Sequence, residues 1–226
     1  MLYLNSKFFL SFLCYEKLFY VMEEAMAHLP EGVVSGVLVT YGFILSGSVS
    51  MVVGRKLKVQ NIPKISMVTA AVFSASLFHL PLLGTSVHFT FVGLAGMLLG
   101  PVAFLSTMVA VFLQGLLFQH GGLSTLGINT FNIGLAALTG FYLFRLRHLL
   151  PRWHASVTVF AFLAGFGAAV VMVGMLSMTL VLSGFPAASI AVVFLAHTPI
   201  ILGEGLVCGL LAAALQKSRG EMFFHE

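Results

Sequence analysis

The sequence predicts an all-α fold, a polytopic membrane protein built as a bundle of about seven transmembrane helices. Composition is the first reason, since 59% of the 226 residues are hydrophobic and only 8% are charged, against roughly 25% charged in a soluble domain. A soluble protein with so little polar surface would aggregate, so lipid must be its solvent. The other reasons are the length of the apolar stretches and the placement of basic residues between them.

Seven apolar stretches are the candidate spans. They cover residues 33–53, 65–82, 86–99, 101–118, 126–146, 155–182 and 188–214. Each is predicted to be helical, because the hydrocarbon core offers no water to satisfy backbone N–H and C=O groups. Only Gly100-Pro101 separates the third stretch from the fourth. These two are therefore predicted to be abbreviated or partly re-entrant, with a turn between them.

Lys and Arg residues set the predicted orientation. They cluster between spans one and two, between spans five and six, and after span seven: Arg55, Lys56, Lys58 and Lys64; Arg145, Arg147 and Arg152; Lys217 and Arg219. Seven crossings put all three clusters on one side, which the positive-inside rule makes cytoplasmic. The N-terminus is therefore predicted outside and the C-terminus in the cytoplasm. The net charge of +4 records this orientation and does not indicate a nucleic-acid partner.

The first 25 residues fit the bundle poorly. Glu16 and Lys17 interrupt their apolar run, and the purine-rich codons of Glu23-Glu24 lie where a bacterial ribosome-binding site would precede a start at Met26. We therefore expect residues 1–25 to be an untranslated leader. A cleaved extension is the alternative, because residues 25–27 (AMA) fit a signal-peptidase pattern. Residues 26–216 then form the transmembrane domain, and residues 217–226 form a cytoplasmic tail.

Three of the eight histidines, His28, His88 and His120, fall in or beside the predicted outer loops. If Met26 is removed, the chain begins at Ala27, whose free amine lies one residue before His28. That amine, the next amide nitrogen and the His28 imidazole can wrap one metal ion, and His88 would complete a square of nitrogens. Such a site favours Ni(II) or Cu(II), with Co(II) held somewhat less tightly. The alternative is that each histidine is a hydrogen-bonded surface residue.

Other polar residues are candidates to support this site or to act inside the membrane. Asn129 follows an outer loop, where its amide would orient ligand histidines or bond a neighbouring span. His79, His197 and Glu204 lie inside predicted spans, where ionisable groups are costly and face the bundle interior. A functional role and a buried structural role both stay open for Glu204. The remaining histidines are predicted to be cytoplasmic and solvated: His148, His154 and His225.

Four stretches carry a family resemblance. They are residues 27–32 (AHLPEG), 84–88 (GTSVH), 121–132 (GGLSTLGINTFN) and, more loosely, 197–200 (HTPI) followed by Glu204-Gly205. With these motifs the chain resembles the CbiM/NikM family, the substrate-binding components of energy-coupling-factor transporters for cobalt and nickel. The motifs occur in the family's order between residues 26 and 205, so the resemblance covers nearly the whole chain.

The resemblance implies a metal site. Family members bind metal through the N-terminal amine, the backbone and imidazole of the second residue, and a histidine after the second span. Carried over by position, these ligands are Ala27, His28 and His88, with Co²⁺ or Ni²⁺ as the transported substrate. Neighbours that would orient them are Thr85, Ser86, His120 and Asn129. This chain departs from the family at Ala27, which precedes the histidine, and at His120, where the family often has another polar residue. For His120 three roles therefore stay open: an extra ligand, a neighbour that orients the ligands, or neither.

The resemblance also implies a role and partners. Residues 26–216 would be the metal-binding substrate component of an importer in the prokaryotic inner (plasma) membrane, serving cobalamin biosynthesis or nickel supply. Two cytoplasmic ATPases would drive it through a separate transmembrane coupling subunit, and a need for a small accessory membrane subunit stays open. The chain has no Gly-x-x-x-x-Gly-Lys-Ser/Thr phosphate loop, so it is expected to have no ATP site and not to hydrolyse ATP itself. As a substrate component it is expected not to be an enzyme.

Two other classes of protein stay open from the residues alone. An intramembrane metal-dependent hydrolase would use histidines and Glu204 around a catalytic metal, although the sequence has no His-Glu-x-x-His motif. A membrane packing subunit would have histidines that are merely hydrogen-bonded. Metal binding separates the importer from the packing subunit, and hydrolysis of a model peptide would identify the enzyme.

Overall fold

The computed structural model describes residues 28–82, 85–150 and 156–218. These ranges form seven α-helices and one β-hairpin. The helices are α1 (Gly36–Gly54), α2 (Ile62–Ala75), α3 (Val92–Leu99), α4 (Ala103–Phe118), α5 (Leu126–Arg145), α6 (Ser156–Leu182) and α7 (Ala188–Ser218), and the strands are β1 (His79–Leu82) and β2 (Thr85–His88). Three short 3₁₀ turns cover Val59–Asn61, Gly100–Val102 and Leu146–Leu149. The predicted helical bundle is confirmed.

Five helical stretches in the described ranges are long and apolar enough to cross a membrane. They are Gly36–Gly54, Val92–Phe118, Leu126–Leu149, Ser156–Leu182 and Ala188–Lys217. Helix α2 has 14 residues, fewer than the about 20 that a full crossing needs, and α3 and α4 share one of the five stretches. Seven crossings and the orientation of the termini therefore stay predictions.

A β-hairpin replaces the C-terminal end of predicted span two and the N-terminal end of predicted span three. Helix α2 ends at Ala75, and the antiparallel strands then pair His79 with His88 and Leu82 with Thr85. The prediction that His79 lies inside a transmembrane helix was therefore wrong, since its backbone pairs with that of His88.

The segment from α3 to α4 turns back on itself. Gly100 takes a φ of 62° that ends α3, a backbone conformation that glycine adopts readily. The turn residue Val102 packs with Val53 at the end of α1 and with Ile65 near the start of α2. His88 and His120, which flank the segment, approach each other with ring centroids 6.4 Å apart. The two short helices therefore run to the opposite end of the bundle and return, as Gly100-Pro101 predicts.

Glycines let the buried helix α3 approach its neighbours closely. A Cβ added at Gly93 would lie 2.7 Å from the Gly165 Cα of α6, and one added at Gly140 would lie 2.8 Å from the Gly93 Cα. Close backbone approach through small residues is how helices in lipid gain packing contacts. These close contacts explain how α3 fits between α5 and α6.

We expect Gly93→Ala to destabilise the bundle by about 1–3 kcal/mol, because the new methyl group must displace backbone atoms of α6. Thermal unfolding in detergent, followed by circular dichroism, measures the effect. Gly47→Ala is the matched control, since Gly47 is exposed on α1 and nothing lies within 4 Å of an added Cβ. Equal midpoints for the two variants would contradict the packing role.

Candidate metal centre

Three histidines lie side by side at one end of the bundle, and we call them the histidine row. The rings of His28 and His88 are stacked with centroids 5.6 Å apart and an interplanar angle of 18°. The His120 ring is tilted by 42° relative to the His88 ring, at a centroid distance of 6.4 Å. His28 and His88 are each 3% exposed, whereas His120 is half-buried. The structure thus brings together the three histidines that the outer loops were predicted to carry.

Asn129 fixes the main chain beside His28. Its Oδ1 accepts a hydrogen bond from the Leu29 N–H at 2.8 Å, and its Nδ2 donates to the Leu29 carbonyl at 3.0 Å. The Thr125 hydroxyl donates to the same carbonyl at 2.7 Å. One amide side chain from the start of α5 therefore satisfies both backbone polar groups of Leu29. Asn129 thus contacts the backbone next to His28, and its role in orienting a ligand histidine stays a prediction.

The glycine-rich loop after α4 packs directly against the N-terminal segment, which we define as residues 28–35. Gly121 has a φ of 72°, and an added Cβ there would lie 3.2 Å from the His28 Cβ and 2.9 Å from the Asn129 Nδ2. A side chain at this position would be strained in its backbone and would push His28 out of place. The loop whose sequence carries the family resemblance therefore forms the surface against which the N-terminal segment packs.

Glu31 ties the N-terminal segment to the same loop. Its carboxylate accepts hydrogen bonds from the Ser124 hydroxyl and from the Ser124 N–H, the latter at 3.0 Å. These hydrogen bonds, with the hydroxyl's the larger effect, lower the pKa of the Glu31 carboxyl below its ordinary value of 4.5. The segment is thus held at two points, at Leu29 by Asn129 and at Glu31 by Ser124.

The tautomer of His88 follows from its hydrogen bond. Its Nδ1 lies 3.1 Å from the carbonyl oxygen of Phe89, and a carbonyl oxygen can only accept. In the neutral imidazole, Nδ1 therefore carries the proton and Nε2 keeps the lone pair that a metal ion can bind. A backbone carbonyl that fixes the tautomer in this way is a usual companion of ligand histidines.

Glu204 holds the segment that follows His88. It is 1% exposed, and its Oε1 accepts hydrogen bonds from the Thr90 N–H, from the Thr90 hydroxyl at 3.0 Å and from the Phe91 N–H at 2.8 Å. Phe91 is the N-cap of α3, so this side chain of α7 accepts from donors at a buried helix start, which lack partners within the helix. The other carboxyl oxygen of Glu204, Oε2, is buried and has no hydrogen-bond partner among the described residues, so both alternatives for Glu204 stay open.

Polar groups line a small cavity beneath His28 and His88. The cavity has a volume of about 10 Å³ and is lined by Ser76, Gln114 and two threonines among apolar residues. The Gln114 Nε2 donates a hydrogen bond to the Ser76 hydroxyl. The sequence analysis missed both residues. Gln114 could have been found as an amide inside an otherwise apolar span, because such a group needs a buried partner.

The family follows from the sequence profile that this chain matches. Residues 28–222 match the CbiM profile, described as the cobalt uptake substrate-specific transmembrane region. The chain belongs to the CbiM family. The matched range contains the whole histidine row, the glycine-rich loop and Glu204, so the membership covers the site as well as the bundle.

Named relatives of this CbiM-family chain are metal transport proteins. A putative metal transport protein of Haemophilus influenzae is 34% identical over 65% of this chain and 69% of its own length. The cobalt transport protein CbiM of Sorangium cellulosum is 41% identical over 46% of each chain. A putative fused nickel transport protein NikMN of Archaeoglobus fulgidus is 34% identical over 61% of this chain, which spans less than half of that relative.

Solved structures share the fold of this CbiM-family chain. The crystal structure of a truncated transition metal transporter superposes with a TM-score of 0.69 at 25% identity, covering 84% of this chain and 98% of that one. A second transition metal transporter gives a TM-score of 0.67 at 25% identity, over 86% of this chain and 94% of that one. The bundle is therefore the architecture of known metal transporters.

The other predicted site residues of this CbiM-family chain fall into two groups. Residues 1–27, with Ala27, lie outside the described residues, as do His154, His225 and the end of the tail, and only the backbone of Thr85 and Ser86 is described. His197 is buried in α7 with its Nδ1 2.8 Å from the Val193 carbonyl, and His148 is exposed. Within residues 28–82, 85–150 and 156–218, no three His, Cys, Asp or Glu side chains are grouped to hold one ion.

We expect acidification to loosen the N-terminal segment. A depressed carboxyl pKa stabilises the docked segment above the ordinary value of 4.5, and this stabilisation is lost as the pH falls through the lower, folded value. Hydrogen exchange at residues 28–34 should therefore accelerate below about pH 4.5 beyond its intrinsic pH dependence. Glu31→Gln is the control and should show no such extra step. A step of the same size in both proteins would contradict the role of the carboxylate.

We expect Glu204→Leu to destabilise the protein strongly, because it leaves three buried donors unsatisfied at about 1–3 kcal/mol each. Glu204→Gln keeps an acceptor oxygen and should cost much less. Thermal unfolding in detergent compares the two variants, and hydrogen exchange at Thr90 and Phe91 localises the loss. Equal unfolding temperatures for Glu204→Leu and Glu204→Gln would show that Glu204 does not stabilise the protein through its hydrogen bonds to the start of α3.

Proposed function

We propose that this chain is the membrane component that captures Co²⁺ or Ni²⁺ for import. The ion would be bound by the imidazoles of His28 and His88 together with main-chain nitrogens at and before His28. The observation that carries this proposal is the buried, stacked pair of His28 and His88 in a CbiM-family chain. Nitrogen donors of this kind suit both ions, so the proposal does not choose between them.

The separation of the two rings is compatible with a shared ion. Imidazole nitrogens bind first-row divalent ions at about 2.0–2.1 Å, so two rings on one ion have centroids roughly 4.5–6.5 Å apart. The 5.6 Å between His28 and His88 lies inside that range. The protonated Nδ1 of His88 leaves Nε2 as its donor atom, and Asn129 and the Gly121 loop hold the main chain of His28 in place.

Main-chain donors complete the proposed coordination. We propose that translation begins at Met26 and that its removal exposes the amine of Ala27, one residue before His28. The amide nitrogen of His28 would bind after losing its proton, so metal affinity would fall steeply at low pH. Two imidazoles alone are a weak site, which agrees with the lack of any three-residue side-chain cluster in the described ranges.

The proposed setting is an energy-coupling-factor importer in a prokaryotic plasma membrane, with the histidine row outside and the basic clusters inside. Its partners would be a transmembrane coupling subunit and two cytoplasmic ATPases. A small accessory membrane subunit would be a further partner if the importer needs one. Fused relatives support membrane partners: the putative fused cobalt transport protein CbiMQ of Methanocorpusculum labreanum is 30% identical over 80% of this chain but only 32% of its own length. The imported metal would serve cobalamin biosynthesis or nickel enzymes.

The hydrolase alternative gains no support from Glu204. A catalytic carboxylate would have to face a metal or a substrate, whereas one Glu204 oxygen is engaged by donors of Thr90 and Phe91 at the start of α3. The relatives are named for transport. The names of the relatives and the buried His28–His88 pair support the importer, and the contacts of Glu204 favour neither function.

We expect His88→Ala to weaken Ni²⁺ or Co²⁺ binding at least about 100-fold, because the site loses one of its two imidazoles. Calorimetric titration of the purified protein with each metal measures the affinity. His28→Ala should weaken metal binding to a similar extent. His148→Ala, at an exposed histidine of the Leu146–Leu149 turn, is the control and should bind metal normally. Unchanged binding in His88→Ala would refute the proposed site.

A further inference from the structure

We infer that a single water molecule, held by Gln114 in the cavity beneath His28 and His88, is a further ligand of the captured ion. The inference rests on the proposed function and deepens it, because it lets the site distinguish Co²⁺ from Ni²⁺. It starts from the cavity, whose volume of about 10 Å³ is roughly what one water molecule needs. Both histidines belong to its lining, and the other polar members of that lining are Ser76, Thr90, Thr107 and Gln114.

Gln114 has a buried oxygen that needs a hydrogen-bond donor. Its Nε2 donates to the Ser76 hydroxyl, and that hydroxyl donates its own proton to the Phe73 carbonyl at 2.6 Å. Ser76 can therefore only accept from Gln114, which fixes the amide with its nitrogen toward Ser76. The Gln114 Oε1 is buried and has no hydrogen-bond partner among the described residues. Buried amide oxygens are normally paired with protein or with ordered water, and a water molecule in the adjoining cavity supplies the donor.

The other hydroxyls of the lining already donate their protons elsewhere. Thr107 donates to the Phe104 carbonyl at 2.9 Å, and Thr90 donates to Glu204 at 3.0 Å. A hydroxyl whose proton is engaged can only accept a further hydrogen bond, so these oxygens and the Gln114 Oε1 all accept. A water molecule in the cavity therefore directs its hydrogens to these oxygens. The rest of the lining is apolar apart from the two histidines, so the lone pairs of the water are left for the histidine side.

A water ligand on that side distinguishes the two ions. The proposed nitrogens form a square around the ion, a geometry that Ni²⁺ favours, and the deprotonated amide makes their field strong. In such a square Ni²⁺ has a filled d orbital along the axis, so a fifth ligand adds little to its binding. Co²⁺ has one electron fewer and leaves that orbital half-filled, so it binds a fifth ligand. The water therefore stabilises bound Co²⁺ more than bound Ni²⁺.

The test uses the full chain in detergent, loaded with Co²⁺ or with Ni²⁺. Electron–nuclear double resonance of the Co²⁺ form in ¹⁷O-labelled water detects a coordinated water, and calorimetry gives the affinity for each metal. We expect an ¹⁷O coupling in the unmodified protein. Gln114→Met, which puts an apolar side chain of similar size in place of the amide, should lose this coupling. Its Co²⁺ affinity should fall at least about tenfold and its Ni²⁺ affinity less than about threefold.

A milder variant and a matched control separate the water from the stability of the bundle. Thr107→Val keeps the shape of the side chain and removes one of the cavity's oxygens, so it should weaken the ¹⁷O coupling and Co²⁺ binding in the same direction. Thr139→Val removes a hydroxyl that also donates to a carbonyl of its own helix, that of Leu135 at 3.0 Å. Thr139 is not part of the cavity lining, so this variant should keep the coupling and both affinities. If Gln114→Met does not fold, Thr107→Val decides the outcome.

The opposing outcomes are distinct. Unmodified protein that binds Co²⁺ without an ¹⁷O coupling would overturn the inference and leave the proposed function standing. A coupling that persists unchanged in the cavity variants would overturn it as well, because the water would then reach the ion from solvent. Equal losses of Co²⁺ and Ni²⁺ affinity would do the same, since Gln114 would then only support the bundle. Failure of the unmodified protein to bind either metal would refute the proposed function and this inference with it.

Discussion

The site depends on one pair of hydrogen bonds, those between the Asn129 amide and the two backbone groups of Leu29. They join the start of α5 to a segment that has no regular structure of its own before α1. Such a segment would otherwise exchange its backbone hydrogen bonds with water. Because both backbone polar groups of Leu29 are satisfied by one buried side chain, His28 is fixed by the main chain beside it. The position of the imidazole is then set by the helix bundle.

The second histidine is placed by a different route. His88 ends β2, and the chain then enters the bundle interior as a short irregular segment before α3 begins. Irregular backbone inside a membrane protein survives only where protein groups satisfy its donors. Glu204 supplies that satisfaction from α7, more than one hundred residues later in sequence. The two buried imidazoles are thus positioned by two elements of the bundle, α5 and α7, which hold them independently.

Much of this could be predicted from the sequence, because the dominant signals are local. Long apolar stretches gave α5, α6 and α7 within a few residues, and Gly100-Pro101 gave the turn between α3 and α4. The motifs at residues 121–132 indicated that the loop and Asn129 belong near the N-terminal histidine. The hairpin at residues 79–88 was not predicted, because its apolar side chains are equally suited to a short buried helix. The shortness of α2 was missed for the same reason.

Other contacts could not be predicted because they join distant parts of the chain. Nothing near Glu204 in sequence indicates that its partners are Thr90 and Phe91, and nothing near Gln114 indicates Ser76. The sequence did show that a buried carboxylate or amide must find a partner. It could not show which partner, because that depends on how short helices such as α3 pack between longer ones.

The eight-residue α3 has a consequence for biogenesis. A helix of that length spans about 12 Å, less than half of the roughly 30 Å hydrocarbon core, and its first donors are satisfied by a carboxylate that the ribosome makes more than one hundred residues later. During synthesis this segment has neither the length to remain in lipid alone nor the acceptor for its exposed N–H groups. The hydrogen bonds that hold the start of α3 can therefore form only once α7 has been made, so the end of the bundle that carries His28 and His88 is completed late.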